Sequence, residues 1–166
     1  APVPDWHDCK KAIIYYTDGN LDKELEQKCQ KQLRIAAGDI PITCVSLVPT
    51  KFGDKTIVMD LERGAPTLFK QILKGLEETP ADVIFFAEHD VLYHPSHFDF
   101  TPNKDRYFYN VNVWKVRTED GHALKVDNCK MTSGLCAFRE LLLTHYRKRV
   151  AIVEKEGYSN KMGHEP

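Results

Sequence analysis

No apolar run in the 166 residues approaches the roughly 20 that a membrane-spanning helix needs. The opening stretch, APVPDWHDCKK, lacks the charged-then-apolar order of a secretory signal. Charge of one sign is lacking too: 23 Lys and Arg stand against 24 Asp and Glu, a formal net charge of −1. A balanced chain has no global field to gather polyanions or anionic lipid, so nucleic acid and membrane surfaces lose their simplest support as partners. Cysteine is sparse. Cys9, Cys29, Cys44, Cys129 and Cys136 are odd in number and widely spaced, with no C-x-x-C pair. That pattern argues against a disulfide framework or a cysteine zinc site, and for small buried thiols in a reduced, cytoplasmic protein. Repeats, linkers and low-complexity segments are missing, and the length suits a single domain over 1–166 with one core.

What is there begins with KAIIYYTDGN, an apolar and β-branched run broken at Asp18-Gly19-Asn20, which predicts a buried strand and a turn. The period then changes. Leu21, Leu25, Cys29 and Leu33 recur every fourth residue among Lys, Glu and Gln, with Gly38 beyond them, which predicts an amphipathic helix with Asn20 or Asp18 available as its N-cap. IPITCVSLVP predicts a second strand closed by Pro49, and a short strand fits near Lys55–Met59. RGAPTLFKQILKGLEETP predicts a helix with Pro66 in its first turn and Thr79-Pro80 as its stop. ADVIFFAEHD is a strand apolar on both faces. Strands of that kind, alternating with helices, predict an α/β fold: a mainly parallel, Rossmann-like sheet with helices on both sides.

The second half differs. RYFYNVNVWKV alternates, turns at TEDGHA and returns through LKVDN, which predicts a hairpin with an Asp-Gly turn. TSGLCAFRELLLTHYRKRVAIVEKEG then predicts a long C-terminal helix capped by Ser133.

In parallel sheets ligands bind beyond the carboxyl ends of the strands. Asp18 and the Glu88-His89-Asp90 triplet both stand at such ends, so they are expected to share one crevice. Glu88 and Asp90, one residue apart, point roughly to the same side and supply hard oxygen ligands for a divalent cation. A zinc triad of His89, His94 and His97 is disfavoured, because Pro95 breaks the helix that would align the last two. His94 and His97 then read as acceptor-pocket or surface-loop residues. Of Tyr15 and Tyr16, which face opposite ways, at most one can approach a ligand.

YYTDG, a helix, RGAP opening a second helix, and then ADVIFFAEHDVLYHPSHF together resemble the nucleotide-sugar half of GT-A glycosyltransferases, particularly family-2-like ones. The resemblance covers most of residues 11–145. It implies that Asp90, and with it Glu88, holds Mn²⁺ or Mg²⁺ against a sugar diphosphate, although Glu stands at position 88 where the family usually has Asp. The longer side chain could move Glu88 to a ribose or water-mediated contact. The resemblance also implies that Thr17 and Asp18 grip the base and ribose of a nucleotide-sugar donor, with UDP the default. Arg63 and Gly64 match a segment passing close to the nucleotide, where Arg63 can pair with phosphate. Asn110, Asn112, Trp114, Ser133 and Gly134 match the acceptor side. GHEP matches the family's catalytic-acid segment better than TEDG does, which makes Glu165 the base that takes a proton from an acceptor hydroxyl. Because the sequence stops directly after that match, the resemblance also implies a truncated or minimal form in which Glu165 frays into solvent. The expected activity is metal-dependent transfer of a sugar from a nucleotide diphosphate to an acceptor hydroxyl. A nucleotidyltransferase and a non-catalytic nucleotide- or carbohydrate-binding module are the rivals. The lack of an early glycine-rich loop bearing Lys or Arg counts against the former.

Overall fold

The computed structural model describes residues 8–166. Eight strands and three helices follow in the order β1 (Lys11–Thr17), α1 (Lys23–Ala37), β2 (Ile42–Ser46), β3 (Lys55–Val58), α2 (Ala65–Glu78), β4 (Val83–Glu88), β5 (Phe108–Tyr109), β6 (Val113–Val116), β7 (Ala123–Val126), β8 (Leu135–Phe138) and α3 (Arg139–Glu156). Six strands form one sheet in the order β3-β2-β1-β4-β8-β5, and β6 with β7 forms a separate ribbon. β1 to β4 run parallel, and β8 joins antiparallel to both β4 and β5. The architecture is therefore mixed α/β with a mainly parallel sheet flanked by helices, as the sequence predicts.

Both faces of the sheet are dry because its central strands are apolar at odd and even positions alike. On one face Ile13, Tyr15, Cys44 and Phe85 pack against Leu33 and Ala36 of α1 and against Tyr93 and Phe98. On the other, Ile14, Val45 and Phe86 pack against Phe69, Ile72 and Leu76 of α2 and Leu142, Leu143 and Tyr146 of α3. At Gly75 α2 lies so close to β1 that a Cβ would stand 2.7 Å from Ile14 Cγ2. This glycine is a packing residue, and its cost to the helix is offset by the approach it permits.

Three local expectations are corrected. The N-cap of α1 is Asp22, which accepts from the Leu25 amide at 3.0 Å, and neither Asp18 nor Asn20 has that role. Asp18 is occupied elsewhere, as described below. The long C-terminal helix starts at Arg139, not near Ser133, because Leu135–Phe138 is strand β8. A short run apolar on all sides fits a two-faced buried strand as well as a buried helix turn, and here pairing with β4 and β5 decides it. Ser133 lies in the 3₁₀ turn Thr132–Gly134 that precedes β8. Finally, RYFYNVNVWKV is not one strand. Phe108 and Tyr109 pair with β8 in the main sheet, the chain breaks at Asn110, and only Val113 onward enters the predicted hairpin.

Candidate functional site

Strand order turns at β1. The chain leaves β1 toward β2 on one side and returns to β4 on the other, so the carboxyl ends of β1 and β4 open into the crevice where such sheets bind ligands. Tyr16 is registered against Glu88 across that junction. A cleft of about 380 Å³ lies there, and its walls include Thr17, Asp18, Arg63, Gly64, Glu88 and Asp90. Every residue assigned to donor or metal binding from the sequence thus meets in one place, although these positions come from three separate stretches of chain.

Asp18 follows β1 and is tied by both oxygens. Oδ1 accepts from the Asn20 amide at 3.0 Å, and Oδ2 pairs with Arg63 Nε at 2.6 Å. Burial pushes its carboxyl up, but the Asn20 amide, Arg63 and His89 outweigh that and hold it below the ordinary carboxylate range. Arg63 is 68% exposed in its side chain, so the pair adds little to folding and leaves guanidinium donors at the rim. Gly64 is the N-cap of the 14-residue α2 and brings no capping side chain. Gly64 and Ala65, at the start of that helix, line the same cleft, where the helix dipole favours negative charge.

Glu88 ends β4. Its Oε1 accepts from the Tyr16 hydroxyl at 2.7 Å. Burial raises its pKa, Tyr16 and His89 act against that, and the charges of Asp90 and Glu165 push it further up. Asp90 is exposed at the cleft wall. Among the described residues no group of three or more His, Cys, Asp or Glu forms a ready cation cage. Two carboxylates facing one cleft suit instead the kind of site in which Mg²⁺ or Mn²⁺ takes one or two protein oxygens and completes its shell with water and ligand phosphates. A cation there would also offset the charge of Asp90, which adds to burial in raising Glu88.

Several supporting groups were not legible. Buried Gln71 on α2 donates its amide to the carbonyls of Thr17 at 2.9 Å and Val45 at 3.1 Å, which pins the helix to two strand ends. Tyr93 accepts from the Glu88 amide at 3.2 Å and donates to the Ser133 carbonyl at 2.9 Å, fixing the end of β4. The one advance signal was parity: Tyr16 faces the Glu88 side of the sheet, while Tyr15 is buried against α1 and Phe52.

The acceptor-side residues scatter. His97 is packed against Phe85, Tyr93 and Phe98 and bonds Asn110 Nδ2 at 2.9 Å, whereas His94 only caps a 3₁₀ turn through Ser96. Asn110 and Trp114 are exposed, and Trp114 donates only to Asn112 at 3.2 Å. Gly134 permits the Asn110 carbonyl to stand 3.0 Å from where a Cβ would be. Glu119 and Asp120 lie at the exposed end of the hairpin, where Asp120 pairs with Arg117.

Glu165 overturns the expectation that it frays. Its Oε1 accepts from the Thr132 amide at 3.0 Å and hydroxyl at 2.6 Å, while Oε2 is buried with no hydrogen-bond partner among the described residues. Arg149 holds the segment by donating to the carbonyls of Met162, at 2.6 Å, and His164, and Tyr109 donates to the Pro166 carbonyl at 2.9 Å. The carboxylate is close enough to Glu88 for its charge to raise that residue's pKa.

No family model matches the sequence, and no curated protein does either. Solved structures do resemble it. The bifunctional IspDF from Campylobacter jejuni superposes with a TM-score of 0.55 at 15% identity, over 94% of this chain and 51% of that one. The apo form of the glycosyltransferase GlyE from Streptococcus pneumoniae TIGR4 gives 0.51 at 14% identity, over 89% of this chain and 39% of that one. The chain spans about half or less of each neighbour's length. At these identities the likeness is one of fold, a Rossmann-like, GT-A-type α/β sheet. No helix among the described residues is long and apolar enough to cross a membrane.

Proposed function

We propose that this chain binds a nucleotide diphosphate sugar, with UDP the default nucleotide, and transfers the sugar to an acceptor hydroxyl in a metal-dependent reaction. The observation that carries the reading is the convergence of Asp18, Arg63, the N-terminus of α2, Glu88 and Asp90 on one cleft at the strand-order turn. That cleft offers a carboxylate for ribose or base donors. It also offers a guanidinium and helix amides for a diphosphate, and two acids for a cation.

Glu88 and Asp90 would hold Mn²⁺ or Mg²⁺, which, when bound, neutralises charge on the departing diphosphate. Arg63 pairs with that diphosphate from the rim. Thr17 and Asp18 orient the nucleoside. Tyr16 keeps Glu88 in place by its hydrogen bond. Glu165, whose second oxygen has no donor, accepts the proton of the acceptor hydroxyl as it attacks the anomeric carbon. The bond from that carbon to the diphosphate oxygen breaks and leaves the nucleoside diphosphate. A nucleotidyltransferase would release pyrophosphate instead, and β1 here runs into Asp18-Gly19-Asn20 without the basic glycine-rich loop such chemistry favours.

Calorimetry of UDP with and without Mn²⁺ tests the reading. Affinity is expected to depend on Mn²⁺, to lose that dependence in Asp90→Ala, and to fall less in Glu88→Gln, which retains an acceptor for Tyr16. Equal Mn²⁺-dependent affinity in Asp90→Ala would remove the metal assignment. Pyrophosphate released from UTP and a sugar phosphate, with no UDP released from UDP-sugars, would favour the nucleotidyltransferase.

A further inference from the structure

Gln71 is only 3% exposed, a polar residue of α2 turned toward the ends of β1 and β2. Its Nε2 donates to the Thr17 carbonyl at 2.9 Å and to the Val45 carbonyl at 3.1 Å, which uses both N–H protons. Bracing the helix accounts for that half of the side chain. The other half is open. Oε1 accepts from no described residue, yet it is not one of the enclosed acceptors left without a donor, as Glu165 Oε2 is. Gln71 lines the cleft, so its oxygen opens there.

A carboxamide that turns freely reads little, because half a turn exchanges its donor for its acceptor. Gln71 does not turn freely. Carbonyls only accept, so the nitrogen must face both of them. A flip would set Oε1 against two carbonyl oxygens and forfeit two buried hydrogen bonds. The Thr17 end of this lock is itself held. Its carbonyl also accepts from the Leu47 amide at 3.2 Å, and its hydroxyl lies 3.0 Å from the Gly19 amide and 3.3 Å from Oε1 of Glu26, a buried acid of α1. Two strand-end carbonyls thus fix the polarity that Gln71 shows to the cleft.

We infer that Gln71 selects the nucleobase: its Oε1 accepts from a ring N–H, which uracil carries at N3 and guanine at N1, and rejects the bare ring nitrogen that cytosine and adenine have there. Half-buried Leu47, Ala65 and Leu68 line the same cleft and offer apolar contact to the faces of a flat ring. Against cytosine two lone pairs would meet, and the locked amide cannot turn an N–H outward to answer. The choice of ligand rests on the nucleotide reading above, whereas the lock does not.

The two parts are tested separately. In ¹H–¹⁵N spectra of the ligand-free chain, assigned with Gln71→Met, both Gln71 side-chain protons should exchange with solvent much more slowly than those of exposed Gln27. Couplings across the hydrogen bonds to the Thr17 and Val45 carbonyl carbons should be present. Exchange as fast as that of Gln27 overturns the lock. For the base, calorimetry of the parent chain in Mn²⁺ compares UDP with CDP and with UDP methylated at N3. UDP is expected to bind about tenfold or more tightly than either, the scale of one lost hydrogen bond. A preference for GDP over ADP, in place of UDP over CDP, supports the same acceptor and makes guanine its base. Gln71→Met keeps the length of the side chain without its polar atoms, so the ratio of UDP to CDP affinity should fall to about one. A purely bracing residue would lower both affinities and leave their ratio unchanged, which overturns the inference. Where Gln71→Met does not fold, the parent chain with the three pyrimidine nucleotides decides. Nucleotides that bind without discrimination overturn base selection alone. A locked amide with no affinity for any of these nucleotides overturns the nucleotide reading and, with it, the base as the partner of Oε1.

Discussion

Asp18 has a choice that most strand-end acids do not face: it could finish the turn, cap the next helix or serve a ligand. Its two oxygens answer the question, one on the Asn20 amide and the other on Arg63, while Asp22 does the capping. Because the Arg63 partner is largely exposed, removing the pair should cost at most about 1 kcal/mol of stability. Its removal should matter more to a bound nucleotide, which loses a charged acceptor and finds Arg63 unanchored. Asp18→Ala is expected to lower UDP affinity by about tenfold, the value of one charge-assisted hydrogen bond. The melting temperature should stay nearly unmoved. Calorimetry beside a thermal melt checks it, and a lowered melting temperature with unaltered affinity would return Asp18 to a structural role.

Among elements, those with a strong period were legible and those set by neighbours were not. The α1 stripe and the all-apolar β1 and β4 carry their burial in their spacing, and the cleft follows from where those strands end. β8 was misread because Leu135–Phe138 is apolar in every direction, so its form is chosen by pairing with β4 and β5 and not by itself. Gln71 and Glu26 were missed for a similar reason. A polar residue on a helix face reads as solvated until the strand-end carbonyl or hydroxyl that it satisfies is placed beside it. The segment after β4 shows the same dependence on surroundings. His97 is wedged among aromatic rings, and burial pulls its pKa down to about 4. The folded chain then binds fewer protons there than the unfolded chain, whose imidazole titrates near 6.5. Stability from this site is therefore full above about pH 6.5 and is lost as pH falls toward 4. Between pH 7 and pH 5 the loss should reach about 2 kcal/mol. Urea unfolding of the chain and of His97→Leu at both pH values measures it. The variant should lose that part of the pH dependence, and equal slopes for the two proteins would show that His97 titrates freely in the fold.

Across the whole molecule, the final residues close a circuit between regions far apart in sequence. Arg149 on α3 holds the Met162 and His164 carbonyls, Tyr109 on the sheet edge holds Pro166, and Thr132 holds Glu165 by two donors. The result sets a carboxylate with one satisfied and one buried, unsatisfied oxygen near Glu88. For the proposed role as base, an acceptor hydroxyl has to reach Oε2, which is buried here, so the segment has to shift on binding. Glu165→Gln keeps the shape and can still accept from Thr132, but it cannot take a proton. It is expected to slow release of UDP from UDP-sugars, with water standing in as acceptor, by about 10²-fold or more. UDP binding should be little affected, since Asp18, Arg63, Glu88 and Asp90 are untouched. Thr132→Val, which removes the hydroxyl donor and keeps the amide donor, should slow release less, because the group survives with its aim loosened. Equal rates for Glu165→Gln and the parent chain would show that the docked carboxylate only ties down the C-terminal segment. The same variant's thermal melt would then carry the whole effect, as a lowered melting temperature.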